Sequence, residues 1–558
     1  MGDETHSADS AEEGEKTHKS DSAGSSDTKR ASLFVAAGIL LSRLSGLLRE
    51  GIFSHFFGTS LYADAFRAAL RMPNALQNLL GEGTLSASFI PVYSELLEEG
   101  RKEEAGRLAG AIFSLLFVLA STLVLLGILA APLLVSLFTP GFEGERREVT
   151  ITLVRILFPM TGFLVLYAWT LGILNSHRRF FLSYVAPVLW NGAIIAAMLF
   201  FGWSWEQDAL IIAVGWGAFA GGLIQFAIQL PWVLRLEKSL VLTFARDMKE
   251  RAEVIRNAIP AVLGRGVVQI SGYLDMILAS LLAVGGVAAI AYAQTLYMLP
   301  VSLFGMSVAA AELPELSRER RKGVEVLRNR ANDALRRMSF YVIPSLFGFL
   351  ALGDVIVGAM YERGEFGRPQ TLLVAATLAA YGVALTATTT TRLYNSTYFA
   401  LRDTKTPAKI AALRVFIAAA LGFFFMIQFE AVDIFGWTFG PGIFSDLYLD
   451  DGPSPVFFGA VGLALGSGIA AWIEWFILRH ILHRRIGKVH AGAGVVVRIV
   501  AAAVVATAAA WAVRLLVPAI HPIPDAALIL GAFVIVYFPL AALLGIEEAK
   551  RFTRFGRG

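Results

Sequence analysis

Residues 41–95 read LSRLSGLLREGIFSHFFGTSLYADAFRAALRMPNALQNLLGEGTLSASFIPVYSE, a stretch that combines apolar runs of membrane type with many charges. Arg43, Arg49, Glu50, Asp64 and Arg71 all lie within or beside these apolar runs. A charge at the centre of a bilayer costs about 2.5–3.5 kcal/mol, so charges kept there usually face an interior cavity. Because arginines predominate, the stretch predicts a membrane protein that handles a polar, anionic ligand.

Helical periodicity brings several of these charges onto one side of the first helix. At about 100° per residue, Ser42, Ser45 and Arg49 share one stripe, and Arg43 and Glu50 lie on the adjacent stripe. The alternative is an intramembrane ion-pair network that only joins helices. That network would leave several of the cations unpaired, so we favour the cavity.

Composition defines the class of protein. The 558 residues are 56% hydrophobic and only 16% charged, and the mean hydropathy is +0.62. Soluble domains carry about 25% charged residues. The chain has no Cys, which excludes a disulfide framework, a thiolate metal site and a Cys nucleophile. We therefore expect an all-α polytopic membrane protein without a metal or other cofactor.

Apolar runs recur along the chain after a polar N-terminal segment. Residues 1–30 have almost no large apolar residue and are predicted to form a disordered cytoplasmic tail. The later apolar runs are each long enough to cross about 30 Å of hydrocarbon. They predict about fourteen transmembrane helices.

The basic residues indicate the orientation of these helices. With the N-terminus inside the cell, the basic loops fall on the same side, and the connections on the other side are mostly acidic. Cytoplasmic loops are enriched in Lys and Arg, so both termini are predicted to be cytoplasmic, including the basic tail 550–558. The net charge of +4 therefore reflects topology, and we expect no nucleic-acid partner.

A faint internal repeat predicts two lobes. The motifs LSR at 41–43, Pro73 and PVYSE at 91–95 have counterparts about 222, 227 and 223 residues later in LGR, Pro300 and PELSRE. A duplicated unit of six helices gives an N-lobe at 31–235 and a C-lobe at 256–483, related by a pseudo-two-fold axis along the membrane normal. Such lobes are typical of alternating-access transporters. Two further helices at 494–549 lie outside the repeat.

Several blocks of this sequence resemble a known family. GLLRE, FFGTS, ADAF, RMPN and GEGTLSASFIPVYSE, followed by LYNSTYFALRDTKTP at 393–407, are similar to the MurJ (MviN) lipid II flippases of the MOP superfamily. The resemblance extends over about residues 31–549. It implies fourteen helices, a basic central cavity and a groove, formed by the last two helices, for the undecaprenyl tail. The implied cargo is lipid II, moved from the cytoplasmic to the outer leaflet for peptidoglycan biosynthesis and cell shape.

The resemblance and the residues together suggest a binding site. Guanidinium groups are always charged and bind phosphate in a bidentate manner, which suits a pyrophosphate cargo. The predicted substrate-binding cations are Arg43, Arg49, Arg71, Arg265 and Arg392, and the predicted gate or pairing acids are Glu50, Asp64 and Glu82. The alternative for Arg392 is that it only extends towards the membrane surface from a helix end.

The chain also departs from the family pattern. Gln77, Gln294, Thr295 and Met298 stand where many members carry charged residues. Arg265 is the nearest candidate to replace the missing cations.

An intramembrane carboxylate at Asp275 predicts coupling to Na⁺ or H⁺. The alternative is a hydrogen bond to a neighbouring helix. Coupling to the membrane potential is a further possibility for this family.

Three other functions compete with lipid II transport. A flippase for another lipid-linked glycan, of O-antigen or teichoic type, would share the architecture. A MATE-like exporter of small molecules would need an acidic cavity. An enzyme would need a carboxylate cluster at a membrane face, and the sequence offers no DxD motif there, so no catalytic residues are expected. Expected partners are lipid II, the bilayer and cell-wall synthesis proteins.

Overall fold

The computed structural model describes residues 38, 40–434, 437–440, 442–444, 447–449, 455–517 and 521–550. The tail predicted at 1–30 lies outside the described residues, as does nearly all of the basic tail 550–558. The described chain is almost entirely helical.

The helices are labelled α1 to α20 in chain order. In the first half of the chain they are α1 (40–57), α2 (Leu61–Leu80), α3 (Glu82–Glu98), α4 (Lys102–Leu129), α5 (Ala131–Phe138), α6 (Gly144–Ser176), α7 (Phe180–Phe201), α8 (Gln207–Ala227), α9 (Leu230–Leu236) and α10 (Lys249–Ser280). In the second half they are α11 (Gly286–Pro300), α12 (Ser307–Glu319), α13 (Val324–Ala351), α14 (Gly353–Tyr361), α15 (Arg368–Val383), α16 (Leu385–Ala400), α17 (Lys405–Phe429), α18 (Gly459–Ile486), α19 (Ala493–Leu516) and α20 (Pro522–Leu543).

Among the residues described between α17 and α18 there are two short antiparallel strand pairs. Strand β1 (Val432–Ile434) pairs with β2 (Trp437–Phe439), with Val432 opposite Phe439. Strand β3 (Tyr448–Leu449) pairs with β4 (Val456–Phe457), with Tyr448 opposite Phe457.

Many of the helices are long and apolar enough to cross a membrane. Within the described residues, nine spans pass this test: α4, α6, α8 with α9, α10, α11 with α12, α17, α18, α19 and α20. Two further pairs pass as bent spans, α13 with α14 at 80° and α15 with α16 at 42°. The chain is thus a multi-pass helical membrane protein, as the composition predicted. The count of fourteen helices stays a prediction.

The chain divides into two compact units. The first contains Met1–Glu50, Ala69–Ala131 and Ile151–Gln269, and the second contains Gly51–Ala68, Pro132–Thr150 and Ile270–Gly558. The lobe boundaries expected from the repeat stay a prediction.

Glycines allow α17 and α18 to pack closely in the second unit. A Cβ added to Gly466 would lie 2.3 Å from the backbone nitrogen of Gly422, and one added to Gly462 would lie 2.5 Å from the carbonyl oxygen of Phe425. Membrane helices associate through such small-xxx-small spacing because it brings their backbones into van der Waals contact.

A π-helical turn, Val301–Met306, connects α11 to α12. It follows directly after Pro300, which has no N–H to donate and whose ring, in a regular α-helix, clashes with the carbonyl of the residue four positions earlier. Such single π turns occur inside α-helices and are frequent at functional sites.

Asp64 joins three segments of the second unit. Its buried carboxylate accepts hydrogen bonds from the backbone N–H groups of Gly285 and Ala288, both at 2.7 Å, at the start of α11. Arg146, at the start of α6, is also buried, and its Nη2 atom lies 2.7 Å from Asp64 Oδ2. A carboxylate at a helix N-terminus satisfies free backbone donors and complements the helix dipole.

We predict that Asp64→Asn lowers the stability of the purified chain strongly. The substitution keeps the size of the side chain but removes the ion-pair partner of the buried Arg146 guanidinium, and breaking a buried ion pair costs about 3–5 kcal/mol. Thermal unfolding in detergent measures the effect. The matched control is Asp247→Asn, because Asp247 pairs with Arg107 at 2.8 Å on an exposed surface, where an ion pair contributes at most about 1 kcal/mol. Equal shifts for the two variants would contradict this assignment.

Asp403 caps α17 from the loop before it. Its carboxylate accepts hydrogen bonds from the Thr406 hydroxyl at 2.6 Å and the Thr406 N–H at 2.9 Å, and it pairs with Arg485 at 2.5 Å. These bonds, led by that of the Thr406 hydroxyl, lower the pKa of Asp403 to about 2. The ionised form is therefore favoured in the folded chain.

This lowered pKa predicts a pH-dependent contribution to stability. A carboxyl whose pKa is lower in the folded state stabilises the fold above its unfolded pKa, about 3.9, and loses that effect as the pH falls towards the folded value. We expect the difference in unfolding temperature between the wild type and Asp403→Asn to be constant above pH 5 and to shrink between about pH 4 and pH 2. A difference that stays constant down to pH 2 would show that Asp403 does not act as an ionised cap.

Candidate functional site

Arg49 lies in a polar network between α1 and α7 in the first unit. It pairs with Glu50 at 2.5 Å, donates to Asn191 Oδ1 at 3.0 Å and lies over the Trp190 ring at 4.8 Å. Asn191 in turn donates to Ser45 Oγ at 2.9 Å. Glu50 is buried, whereas Arg49 is partly exposed. The network fixes the direction of the Arg49 guanidinium and leaves part of it open.

Arg43 and Arg71 differ from Arg49 in their surroundings. Arg43 is exposed on α1, and Arg71 is half-buried on α2. Within the described part of the chain, no carboxylate lies at ion-pair distance from either guanidinium. Both cations are therefore available to an anionic ligand.

Arg265, on α10, lies against the start of α3. A Cβ added to Gly83 would lie 1.6 Å from Arg265 Nη2 and 2.0 Å from its Cζ, so the guanidinium occupies the space that a side chain at Gly83 would fill. The same guanidinium attracts the carboxylate of Glu82 electrostatically. One helical turn after Arg265, Gln269 Oε1 on α10 accepts a hydrogen bond from Asn78 Nδ2 on α2 at 3.3 Å. The first unit thus brings Arg265 to the Glu82–Gly83 dipeptide.

The second unit carries the remaining predicted site residues. Arg392 is exposed near the middle of α16, and no carboxylate of the described chain lies at ion-pair distance from it. Asp275 is half-buried on α10 and makes a hydrogen bond or an electrostatic interaction with another residue. Asp64 holds the start of α11, as described above, so its carboxylate is occupied by Arg146 and two backbone donors.

The residues that replace charged family positions have local partners. Gln294 donates to the Tyr381 hydroxyl at 3.0 Å, which joins α11 to α15. Thr295 donates to the Ala291 carbonyl of its own helix at 2.9 Å. The Met298 side chain is partly exposed. These side chains add polar and apolar contacts, and none of the three supplies a cation.

Sequence reasoning did not identify the ion-pair partners of Arg146 and Arg414 in the second unit. Arg146 lies in a charged run at the start of α6, where a solvent-exposed arginine is the ordinary interpretation. Glu474 on α18 is buried and accepts from Arg414 on α17 at 3.1 Å, although the two residues are 60 positions apart. The only sequence signal for either pair is an acid within an apolar helix together with an arginine on another helix, and the sequence does not show which helices are neighbours.

Each of the two units carries guanidinium groups that suit binding of an anion. In the first unit, Arg43 and Arg71 have no described carboxylate at ion-pair distance, and Arg49 offers a guanidinium held in a fixed direction. In the second unit, Arg392 likewise has no described carboxylate at ion-pair distance. Guanidinium groups match the geometry of phosphate oxygens. Among the described residues, there is also no group of three or more His, Cys, Asp or Glu side chains that could hold a metal ion.

Comparison with solved structures identifies the fold. A lipid II flippase MurJ in an inward closed conformation superposes with a TM-score of 0.71 at 24% identity, covering 92% of this chain and 98% of that one. An inward-facing multidrug resistance MATE family transporter of the MOP superfamily gives a TM-score of 0.62 at 17% identity, covering 81% of this chain and 98% of that one. At such identities the likeness concerns the fold alone.

Comparison of sequences identifies the family. Residues 53–435 match the family model described as lipid II flippase MurJ. A probable lipid II flippase MurJ of Rhizobium meliloti is 32% identical over 69% of this chain and 73% of its own length. The lipid II flippase MurJ of Burkholderia cenocepacia is 30% identical over 68% of this chain and 75% of its own. The chain belongs to the MurJ lipid II flippase family.

Proposed function

We propose that this protein is a flippase that moves lipid II, the undecaprenyl-pyrophosphate-linked peptidoglycan precursor, from the cytoplasmic to the outer leaflet of the inner membrane. Transport proceeds by alternating access, without a chemical step in the protein. The basic loops support an orientation with both termini in the cytoplasm.

One observation carries the proposal beyond family membership. Arg43, Arg71 and Arg392 lie on helices of a membrane protein, and no described carboxylate lies at ion-pair distance from any of them. An uncompensated charge in such a place is costly and is kept where it contacts a ligand or a water-filled cavity. A pyrophosphate cargo supplies the missing negative charge.

Arg49 has a different part in the proposed mechanism. Glu50 and Asn191 hold its guanidinium on one side, and the Trp190 ring covers one face. A guanidinium has five N–H donors in a planar fork, so these contacts leave donors for a phosphate oxygen. Because Arg49 is oriented before the cargo arrives, less side-chain entropy is lost on binding.

The energy source and the partners are further parts of the proposal. Asp275 is our candidate for coupling transport to Na⁺ or H⁺, since it is a half-buried carboxylate on a membrane-spanning helix. Proteins of cell-wall synthesis, which use lipid II in the outer leaflet, are the expected functional partners.

The competing functions have less support. The likeness to a MATE family transporter concerns the fold, and the free cations described above favour an anionic cargo over a cationic drug. A flippase for another lipid-linked glycan would share this chemistry, so the choice between the two rests on a functional test.

We predict that this chain restores growth to a bacterium depleted of its own lipid II flippase, and that Arg43→Ala and Arg49→Ala each abolish that rescue. The reason is that a charge-assisted hydrogen bond contributes about 1.5–3 kcal/mol, so the loss of one guanidinium weakens cargo binding at least roughly tenfold. Membrane levels of each variant are measured alongside growth. Arg107→Ala serves as the control, because Arg107 pairs on an exposed surface.

Two outcomes would count against the proposal. Failure of the wild-type chain to rescue growth, at normal membrane levels, would reject lipid II as the cargo. Normal growth of both variants would reject a role for these arginines in binding.

We predict that Gly83→Ala impairs transport in the same way as Arg265→Ala. The added Cβ cannot coexist with the guanidinium, and the guanidinium, at the end of a flexible side chain, moves away from Glu82 while the fold is retained. Transport of lipid II in proteoliposomes should fall about tenfold for either variant, and the double variant should be no worse than Arg265→Ala alone.

Gly264→Ala is the matched control for this experiment. It lies next to Arg265 on the same helix, and beyond its chain neighbours and the backbone of its own helix no atom lies within 4 Å of the position that its Cβ would take. We expect unchanged transport, with a gain of roughly 0.5–1 kcal/mol in stability because Ala is the better helix former. Full activity of Gly83→Ala would mean that the position of Arg265 does not matter.

A further inference from the structure

A cavity of about 410 Å³ lies between the ends of four helices in the second unit. It is bounded by α14, by the start of α15, by the end of α19 and by the start of α20. Its charged and titratable lining consists of Asp354, Glu362, Arg368, Arg514, His521 and Asp525. The volume is within the range of about 300–1,000 Å³ that is usual for small-molecule sites.

One wall of the cavity carries two arginines held in place by a shared acid. Arg514 donates to Asp354 Oδ1 at 3.1 Å and to Oδ2 at 2.8 Å, and Arg368 donates to Oδ2 at 2.7 Å. Arg514 also lies over the Trp511 ring at 4.9 Å. Each guanidinium has five N–H donors, so both keep donors beyond those used on Asp354. Rigid guanidinium groups of this kind match the oxygens of a phosphate.

The other charged side chains make the cavity attractive to a cation as well. Glu362 accepts from the Thr371 hydroxyl at 2.8 Å and more weakly from Arg368 at 3.5 Å, and Asp525 lies in the first turn of α20. With Asp354, the lining has three carboxylates against two guanidinium groups. A simple anion would therefore meet an excess of negative charge. The described residues offer no metal-binding group, so a ligand that carries both signs fits best.

The cavity adjoins a surface that suits acyl chains. Leu515 and Leu516, at the end of α19, are 78% and 81% exposed, and Leu528 on the cavity wall is 49% exposed. Both α19 and α20 are long and apolar enough to cross the membrane. In the orientation predicted from the basic loops, this end of the two helices lies in the outer leaflet. A ligand here would have a polar head beside lipid-exposed leucines.

We propose that this cavity binds the phosphoethanolamine head group of an outer-leaflet phospholipid. The phosphate contacts Arg514 and Arg368, and the ammonium contacts the carboxylates of Glu362 and Asp525. The acyl chains follow the leucine-rich surface of α19 and α20. The site does not depend on the identity of the transported cargo.

Native mass spectrometry of the purified full chain tests the proposal. The protein is incubated with equal amounts of phosphatidylethanolamine and phosphatidylglycerol that carry the same acyl chains. We expect the wild type to retain phosphatidylethanolamine roughly tenfold better, since its ammonium adds a charge-assisted hydrogen bond that glycerol cannot make. Equal retention of the two lipids, or retention of neither, would overturn the proposal.

Variants separate the two halves of the site. The double variant Glu362→Gln with Asp525→Asn should lose the preference for phosphatidylethanolamine while still retaining lipid, whereas Arg514→Gln should lose both lipids. Arg147→Gln is the control, because Arg147 donates to Ser136 at 3.1 Å and does not line the cavity. It should retain the wild-type preference.

A loss of fold must be distinguished from a loss of binding. Arg514 neutralises Asp354, so its substitution is accompanied by a measurement of the unfolding temperature in detergent. A second variant, His521→Ala, changes the lining of the same cavity without removing an ion-pair partner. The His521 ring accepts one weak hydrogen bond, from the Ile523 N–H at 3.4 Å. If the acidic double variant keeps the wild-type preference, the assignment of the ammonium half is wrong. Growth rescue by the same variants, measured in parallel, shows separately whether the chain still transports its cargo.

Discussion

The buried carboxylate of Asp64 is the interaction on which the second unit most depends. It neutralises Arg146 and occupies the backbone donors of Gly285 and Ala288, so one side chain connects the starts of α2, α6 and α11. In a low-dielectric interior each of these groups would be costly without the other. The contact therefore fixes the first turn of α11 against the starts of α2 and α6.

The arginines of this protein fall into two physical classes. Arg146 and Arg414 face buried carboxylates and act as structural counter-ions. Arg43, Arg71 and Arg392 have no described carboxylate at ion-pair distance, and in the proposed function they carry the charge that an anionic cargo requires. Arg49 belongs partly to both classes, because Glu50 holds it while part of the guanidinium remains open. Whether an arginine belongs to the first or the second class depends on the residues around it. The hydropathy of the surrounding sequence does not distinguish the two.

Sequence reasoning identified the class of protein and the family because these depend on local signals. Apolar runs and the blocks around Arg49, Gly83 and Asp403 are continuous in sequence. Contacts between distant segments were not accessible in this way. The partner of Asp64 lies on another helix, and the close contact of Arg265 with Gly83 joins α10 to α3. The bend of 80° between α13 and α14 was likewise missed, since the apolar run continues through it.

The π-helical turn Val301–Met306 affects how this chain compares with its relatives. A turn closed by i→i+5 hydrogen bonds contains one residue more than the α-helical turn it replaces. Residues after it are therefore rotated by about 100° relative to the pattern that α11 alone would continue. A relative with a regular α-helix here would hold the same faces with one residue fewer. A single-residue gap at this place in an alignment would then record a change of helix type, and equivalent positions on α12 should be assigned by the face they occupy.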